Sequence, residues 1–218
     1  MILETFAVGA LGCNCSILGD EVSKEAIVVD PGGDFDAIKA RLDAHGLVTK
    51  AIVHTHTHID HVGATAELQR ATDASAKIHE ADKTLYDILP IQAQLLGMRK
   101  APAKCEFDGW LKDGETIAIG DLVVHVIHTP GHTPGSCCFE LRAKGKGDDE
   151  VVLFAGDTLF QRSVGRTDLW GGDHDQLVTS IQKKLFALPE PTRVICGHGD
   201  DTTIGAEKRL NPFVGLRR

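Results

Sequence analysis

Short apolar runs alternate with helix-period segments along the chain. Residues 15–18 and 26–29 read as short strands, the second running into the turn Asp30-Pro31-Gly32-Gly33. Residues 36–45 carry Ile38 and Leu42 at helical spacing, with Gly46 as a stop. The apolar triplet 51–53 predicts a buried strand leading straight into a histidine cluster; 64–72 predicts a helix and 76–79 a short strand. From 81 to 98 the pattern is helical but broken at Pro90 and Gly97. Tyr86 and Met98 in that stretch suit either a packed helical connection or part of a pocket wall.

The second half repeats the alternation. Segments 116–119 and 122–127 predict a hairpin around Gly120-Asp121, and strands at 136–141 and 151–155 flank a solvated turn over 143–149. Leu177, Ile181, Leu185 and Leu188 give 175–188 the clearest amphipathic helix period, and 193–196 predicts a last strand. No Ser/Gly/Pro tract divides the chain. Strands followed by helices in both halves predict one layered α/β domain over 1–218, with helices outside paired sheets.

Composition narrows the function classes. The 218 residues carry 23 Lys+Arg against 31 Asp+Glu, a net charge of -8, and no basic run that would serve nucleic acid or an anionic membrane. No apolar run nears the ~20 residues of a membrane span. The start Met1-Ile2-Leu3-Glu4-Thr5 lacks the basic region of a signal peptide, and 10–13 is no lipoprotein site without one. The six cysteines are therefore expected as thiols in a cytoplasmic protein. Eleven histidines are many for this length, and most stand beside Asp, Gly or Thr.

The densest chemistry is His56-Thr57-His58-Ile59-Asp60-His61. Three imidazoles and a carboxylate in six residues have no packing rationale, because each would need a polar partner if buried. At a strand end, His56 and His58 stand two apart and can point the same way. Asp60 and His61, where the chain turns into the next helix, can face a neighbouring point. The run thus offers two pairs of ligands, and His54 falls one step too early to join them. Two metal ions would need more. His132 in Thr129-Pro130-Gly131-His132-Thr133-Pro134-Gly135, Asp157 in Gly156-Asp157-Thr158 and His198 in Gly197-His198-Gly199 each follow a predicted strand, beside glycine that lets the backbone turn sharply. Alone, each would read as a turn residue or a cap; beside the histidine run they complete a set of five His and two Asp. Of the other histidines, His54, His125 and His128 suit core or supporting roles, His174 a hydrogen bond near the site, and His45 and His79 the surface. Cys196 reads as a small buried side chain.

These motifs resemble the signature of the metallo-β-lactamase superfamily. With Asp30-Pro31-Gly32-Gly33, Gly165-Arg166-Thr167-Asp168 and Asn211-Pro212-Phe213, the chain is similar over nearly its whole length to the glyoxalase II-like (hydroxyacylglutathione hydrolase) branch, in its short single-domain bacterial form. The resemblance implies an αβ/βα four-layer sandwich with the site on one edge of the sheets. It implies His56, His58 and His132 on a first metal, Asp60, His61 and His198 on a second, and Asp157 bridging. The implied cofactors are two divalent ions, zinc first, with iron or manganese as alternatives.

The implied activity is hydrolysis of a thioester, S-lactoylglutathione or a related hydroxyacylglutathione, by a metal-bridging hydroxide. Asp60 is the catalytic candidate, orienting the hydroxide or carrying a proton to the leaving group. Arg166 is the candidate substrate anchor, its planar fork suited to a carboxylate, against a structural pairing with Asp168. Only twenty residues follow His198, so the helical domain with which larger glyoxalase II enzymes hold glutathione has no counterpart. Three alternatives stay open: a persulfide dioxygenase with one iron on His56, His132 and Asp157, a lactonase or other ester hydrolase, and a non-catalytic metal-binding domain. The expected partner is a small-molecule substrate; the oligomeric state is undecided.

Overall fold

Strand propensity and strand order together build the first sheet. In the computed structural model, which describes residues 1–143 and 151–216, the chain divides into two compact units, Met1–Leu111 and Lys112–Arg218. The first unit contains β1 (Ile2–Val8), β2 (Cys13–Gly19), β3 (Glu25–Val29), β4 (Val48–Val53), β5 (Ser75–His79) and β6 (Gly109–Leu111), side by side in chain order. The first three pair antiparallel through tight turns; β3 to β6 pair parallel, as strands must when a helix or long connection returns between them. Those connections carry α1 (Phe35–Ala44), α2 (Ile59–Val62), α3 (Thr65–Thr72), α4 (Lys83–Asp87) and α5 (Leu89–Leu95). Ile38 and Leu42 of α1 and Leu68 of α3 enter one core with Val28 and Ile52 of the sheet. Each such side chain contributes roughly 1.5–3 kcal/mol on burial.

The second unit has the sheet order β14 (Thr202–Thr203), β13 (Arg193–Cys196), β10 (Val152–Gly156), β9 (Cys137–Ala143), β8 (Leu122–His128) and β7 (Thr116–Ile119), with the small hairpin β11 (Leu159–Phe160) and β12 (Ser163–Val164). Among the described strands of this sheet only β10 and β13 run parallel, with α6 (His174–Lys183) in the connection between them. Leu177 and Ile181 of α6 pack on Leu153, Ala155 and Val194. The last helix is α7 (Ile204–Leu210). The parallel-paired strands β4, β10 and β13 end in the loops that carry the histidine run, Asp157 and His198, and β8 in the one that carries His132; such carboxyl-end loops leave side chains available for chemistry.

The expected hairpin forms, with Ile119 opposite Leu122 and Gly120 at φ 49°. The long helix expected over 175–188 stops at Lys183 and continues as a 3₁₀ turn, Leu185–Ala187, which still seats Leu185 and Phe186 in the core. The 81–98 stretch is broken into a 3₁₀ turn and two short helices, but the break falls at Ile88 rather than at Pro90, which lies in the first turn of α5; α5 ends just before Gly97, as expected. β1 was not anticipated: its side chains are mostly half-buried, so it shows no apolar alternation. β6, β14, α2 and α7 are too short to announce themselves by period. The turn expected over 143–149 lies, from 144 onward, outside the described residues. No helix among the described residues is long and apolar enough to cross a membrane.

Candidate metal centre

The first unit gathers His56, His58, Asp60 and His61 on the loop and short helix that follow β4. His58 is the extended residue before α2, which lets Asp60 and His61 fall on its single turn. The His56 ring lies 4.8 Å from that of His58, at 90°, and 4.0 Å from that of His61. His61 Nε2 stands 3.7 Å from Asp60 Oδ2. His56 and His61 are buried.

Asp30, which the sequence offers as a turn residue and as part of a family motif but not as a site residue, fixes this cluster. Its carboxylate, buried and set in the left-handed region at φ 50°, accepts the Thr55 N–H at 2.7 Å and the Thr55 hydroxyl at 2.6 Å. His61 Nδ1 donates to the same carboxylate at 3.1 Å, and His56 Nδ1 lies 3.1 Å from Thr55 Oγ1. With Nδ1 engaged, Nε2 of each ring is left with its lone pair as a ligand atom, the usual way a carboxylate sets an imidazole for metal. The Cys13 thiol sits 3.4 Å from His61 Nδ1, and burial pushes its pKa up to about 11, so it stays protonated. His54 is a core residue, as expected: its Nδ1 donates to the His61 carbonyl at 3.2 Å, and burial lowers its pKa to about 4.

Two further side chains hold the loop from the other side. Asp82 accepts the Thr57 N–H at 3.0 Å. Gln92 of α5 accepts the Ile59 N–H at 2.9 Å and donates to the carbonyls of Thr57 and Leu85 at 3.2 and 2.9 Å. Tyr86 is buried behind them, stacked edge-on against Phe107, whereas Met98 is exposed. Of the two residues singled out in that stretch, one is packing and one borders open space.

The second unit gathers His132, Asp157 and His198 from three separate loops. His132 Nε2 is 3.6 Å from Asp157 Oδ2, and His198 Nε2 is 3.8 Å from Asp157 Oδ1, so the carboxylate lies between two imidazoles. Gly131 permits the His132 loop: it stands at φ 141°, and a Cβ there would strike the backbone of Leu177 in α6. Ser180 of α6 donates to the Pro130 carbonyl at 2.8 Å, and the Asp173 N–H to that of Gly131 at 2.8 Å. His128 Nε2 donates to the Pro134 carbonyl at 2.9 Å, a supporting role of the expected kind.

His132 Nδ1 donates to the main-chain carbonyl of Arg166 at 2.8 Å. A side chain at Gly165 would collide with the Asp157 carbonyl and come within 3.1 Å of His132 Nδ1, so only glycine admits this approach. The Arg166 side chain points elsewhere, forked onto Asp168 at 2.8 and 3.0 Å and largely exposed. Cys196 is buried, and its pKa is pushed up to about 12 by that burial. His174 opens α6, His45 pairs with Glu4 at 2.5 Å, and the His79 side chain accepts the Ala81 N–H.

The spacings fit a metal. Imidazole–carboxylate separations of 3.6–3.8 Å in both units are too long for hydrogen bonds. Two atoms each bound about 2.1 Å from one tetrahedral ion would stand roughly 3.4 Å apart. Neutral imidazole and carboxylate are also the donor types that zinc, iron and manganese accept.

The sequence matches the family model described as the metallo-β-lactamase superfamily over residues 8–198. The chain belongs to that superfamily, as a metallo-hydrolase with its α/β sandwich fold. It is 38% identical, over the full length of both chains, to the hydroxyacylglutathione hydrolase GloC of Haemophilus influenzae. Among solved structures it is similar to the BLEG-1 B3 metallo-β-lactamase (38% identity, TM-score 0.85, 98% and 99% of the two chains covered). It is also similar to TTHA1623 in a di-iron-bound form (35% identity, TM-score 0.81, 95% and 98% covered).

Proposed function

We propose that the two units work as one catalytic domain, in which His56, His58 and His132 hold one divalent ion, Asp60, His61 and His198 hold a second, and Asp157 is shared. The reaction is hydrolysis of a thioester, with a hydroxyacylglutathione such as S-lactoylglutathione as the first substrate to test. The observation that carries the reading is the repeated carboxylate–imidazole spacing, 3.7 Å in the first unit and 3.6 and 3.8 Å in the second. The full-length similarity to a hydroxyacylglutathione hydrolase supports the substrate class.

When bound, the two ions would supply hydroxide near neutral pH, by lowering the pKa of water from 15.7 to about 7, and positive charge beside the developing oxyanion. Asp60, part-exposed beside His61, would hold the attacking hydroxide by its hydrogen and then carry the proton toward the leaving group. Asp30 keeps His61 oriented throughout, and the Arg166 carbonyl does the same for His132. A thiol ionises near pH 8.5, so a thiolate leaves with little protonation and no further acid is required. The exposed Arg166 side chain is the candidate contact for a substrate carboxylate, exchanging Asp168 for it. Zinc heads the metal expectation, and the di-iron form of a similar protein makes iron the first competitor.

The test combines metal analysis of the purified protein with hydrolysis of S-lactoylglutathione, followed as free thiol. Two ions per chain and linear thiol release that is lost on chelation are expected. Fully loaded protein that releases no thiol, but opens lactones or consumes oxygen with glutathione persulfide, would replace this reading.

A further inference from the structure

A cavity of about 340 Å³ in the first unit adjoins Asp60 and is not used by anything described so far. Leu11 from the β1–β2 turn, Ile59 and Asp60 of α2, and Leu96, Met98 and Lys100 after α5 line it. Leu11, Leu96 and Met98 are 53%, 52% and 46% exposed, although each is a large apolar side chain. Single exposed apolar side chains are common, but three around one concavity beside a carboxylate are the pattern of a ligand pocket. Its back is glycine: a Cβ at Gly32 would strike the Asp60 carbonyl, and one at Gly63 the Gly32 carbonyl. The Asp30–Gly33 turn and α2 thus close the back of the cavity backbone to backbone. Gln92 ties α5, from whose end Leu96 and Met98 follow, to Thr57 and Ile59 of the histidine loop.

We infer that this pocket receives the acyl chain of the substrate, and that the chain is apolar and several carbons long. The inference rests on the thioesterase reading and narrows it. Glutathione carries two carboxylates and an ammonium, which a lining with one cation, Lys100, and one anion, Asp60, cannot match. A lactoyl group would leave most of the cavity empty, since the volume holds roughly ten water-sized groups at about 30 Å³ each. An unbranched chain of up to about eight or ten carbons fills it and covers the leucines and the methionine.

The test is a series of N-acetylcysteamine thioesters, acetyl to decanoyl, hydrolysed by the metal-loaded enzyme. kcat/KM should rise about fourfold per methylene, the value of burying one CH₂, and level off once the cavity is full. The Leu96→Ala/Met98→Ala double variant should flatten the series, whereas Leu95→Ala, on an exposed side chain outside the lining, should not. A flat series, an unchanged slope in the double variant, or a chain dependence seen only with acetyl esters of n-alkanethiols would overturn the inference. Methyl NMR separates it from the thioesterase reading. Octanoate, and not acetate, should shift the Leu96 and Met98 methyl signals even if no thioester is cleaved. In that case the thioesterase reading falls and the pocket stands; unshifted methyls overturn the pocket.

Discussion

The two units position their candidate ligands in opposite ways. In the first, His56, His58, Asp60 and His61 come from one loop and one helical turn, held by a buried carboxylate, Asp30, and a buried amide, Gln92. In the second, His132, Asp157 and His198 come from three loops after three strands, and what positions them is mainly backbone: Gly131 under α6, Gly165 against Asp157, the Arg166 carbonyl on His132. Side chains orient the imidazoles of the first cluster and a main-chain carbonyl orients His132 of the second, while glycines close the backbone in both, Gly32 against Asp60 and Gly165 against Asp157. The first should therefore answer a lost side-chain contact with weakened metal affinity, whereas the second should lose stability when Gly165 gains a side chain.

The largest effect is expected at Asp157, which stands between two imidazoles. Asp157→Ala should abolish thioester turnover and reduce bound metal, read by elemental analysis alongside the assay; full activity with normal metal would contradict the assignment. Gly165→Val comes next, because its side chain must push into the Asp157 carbonyl. A loss of about 1–3 kcal/mol in urea unfolding is expected, with metal content falling in parallel. Asp30→Asn should leave the fold in place and weaken metal binding by about 10–100-fold, measured by competition with a chelator. A Gly165→Val protein as stable as wild type, or an Asp30→Asn protein that unfolds, would erase the contrast between the two units. Arg166→Ala should have the smallest structural effect, within about 0.5 kcal/mol and with metal content unchanged, since it is the carbonyl that serves His132. Any rise in KM in that variant reports the side chain's contact with substrate.

The same contrast explains what could be read from the sequence. The histidine run was legible because four ligand-type side chains, three His and one Asp, crowd six positions, and a strand-then-helix register explains their directions. His132, Asp157 and His198 were legible only as a group, each resembling an ordinary turn residue until the others were counted. The supporting residues were not: Asp30 lies 31 positions from His61, and Gln92 33 positions from Ile59, with no local pattern to join them. The Arg166 carbonyl could not be foreseen at all, because a main-chain group carries no residue-type signal. In the fold, strands buried on both faces announced themselves, while half-buried β1 and the one-turn α2 did not.

Anomalous diffraction from crystals of metal-loaded protein tests the central claim most directly. The account predicts two peaks, one bound by His56, His58 and His132, the other by Asp60, His61 and His198, with Asp157 touching both. A single peak, or peaks bound by other side chains, would contradict it.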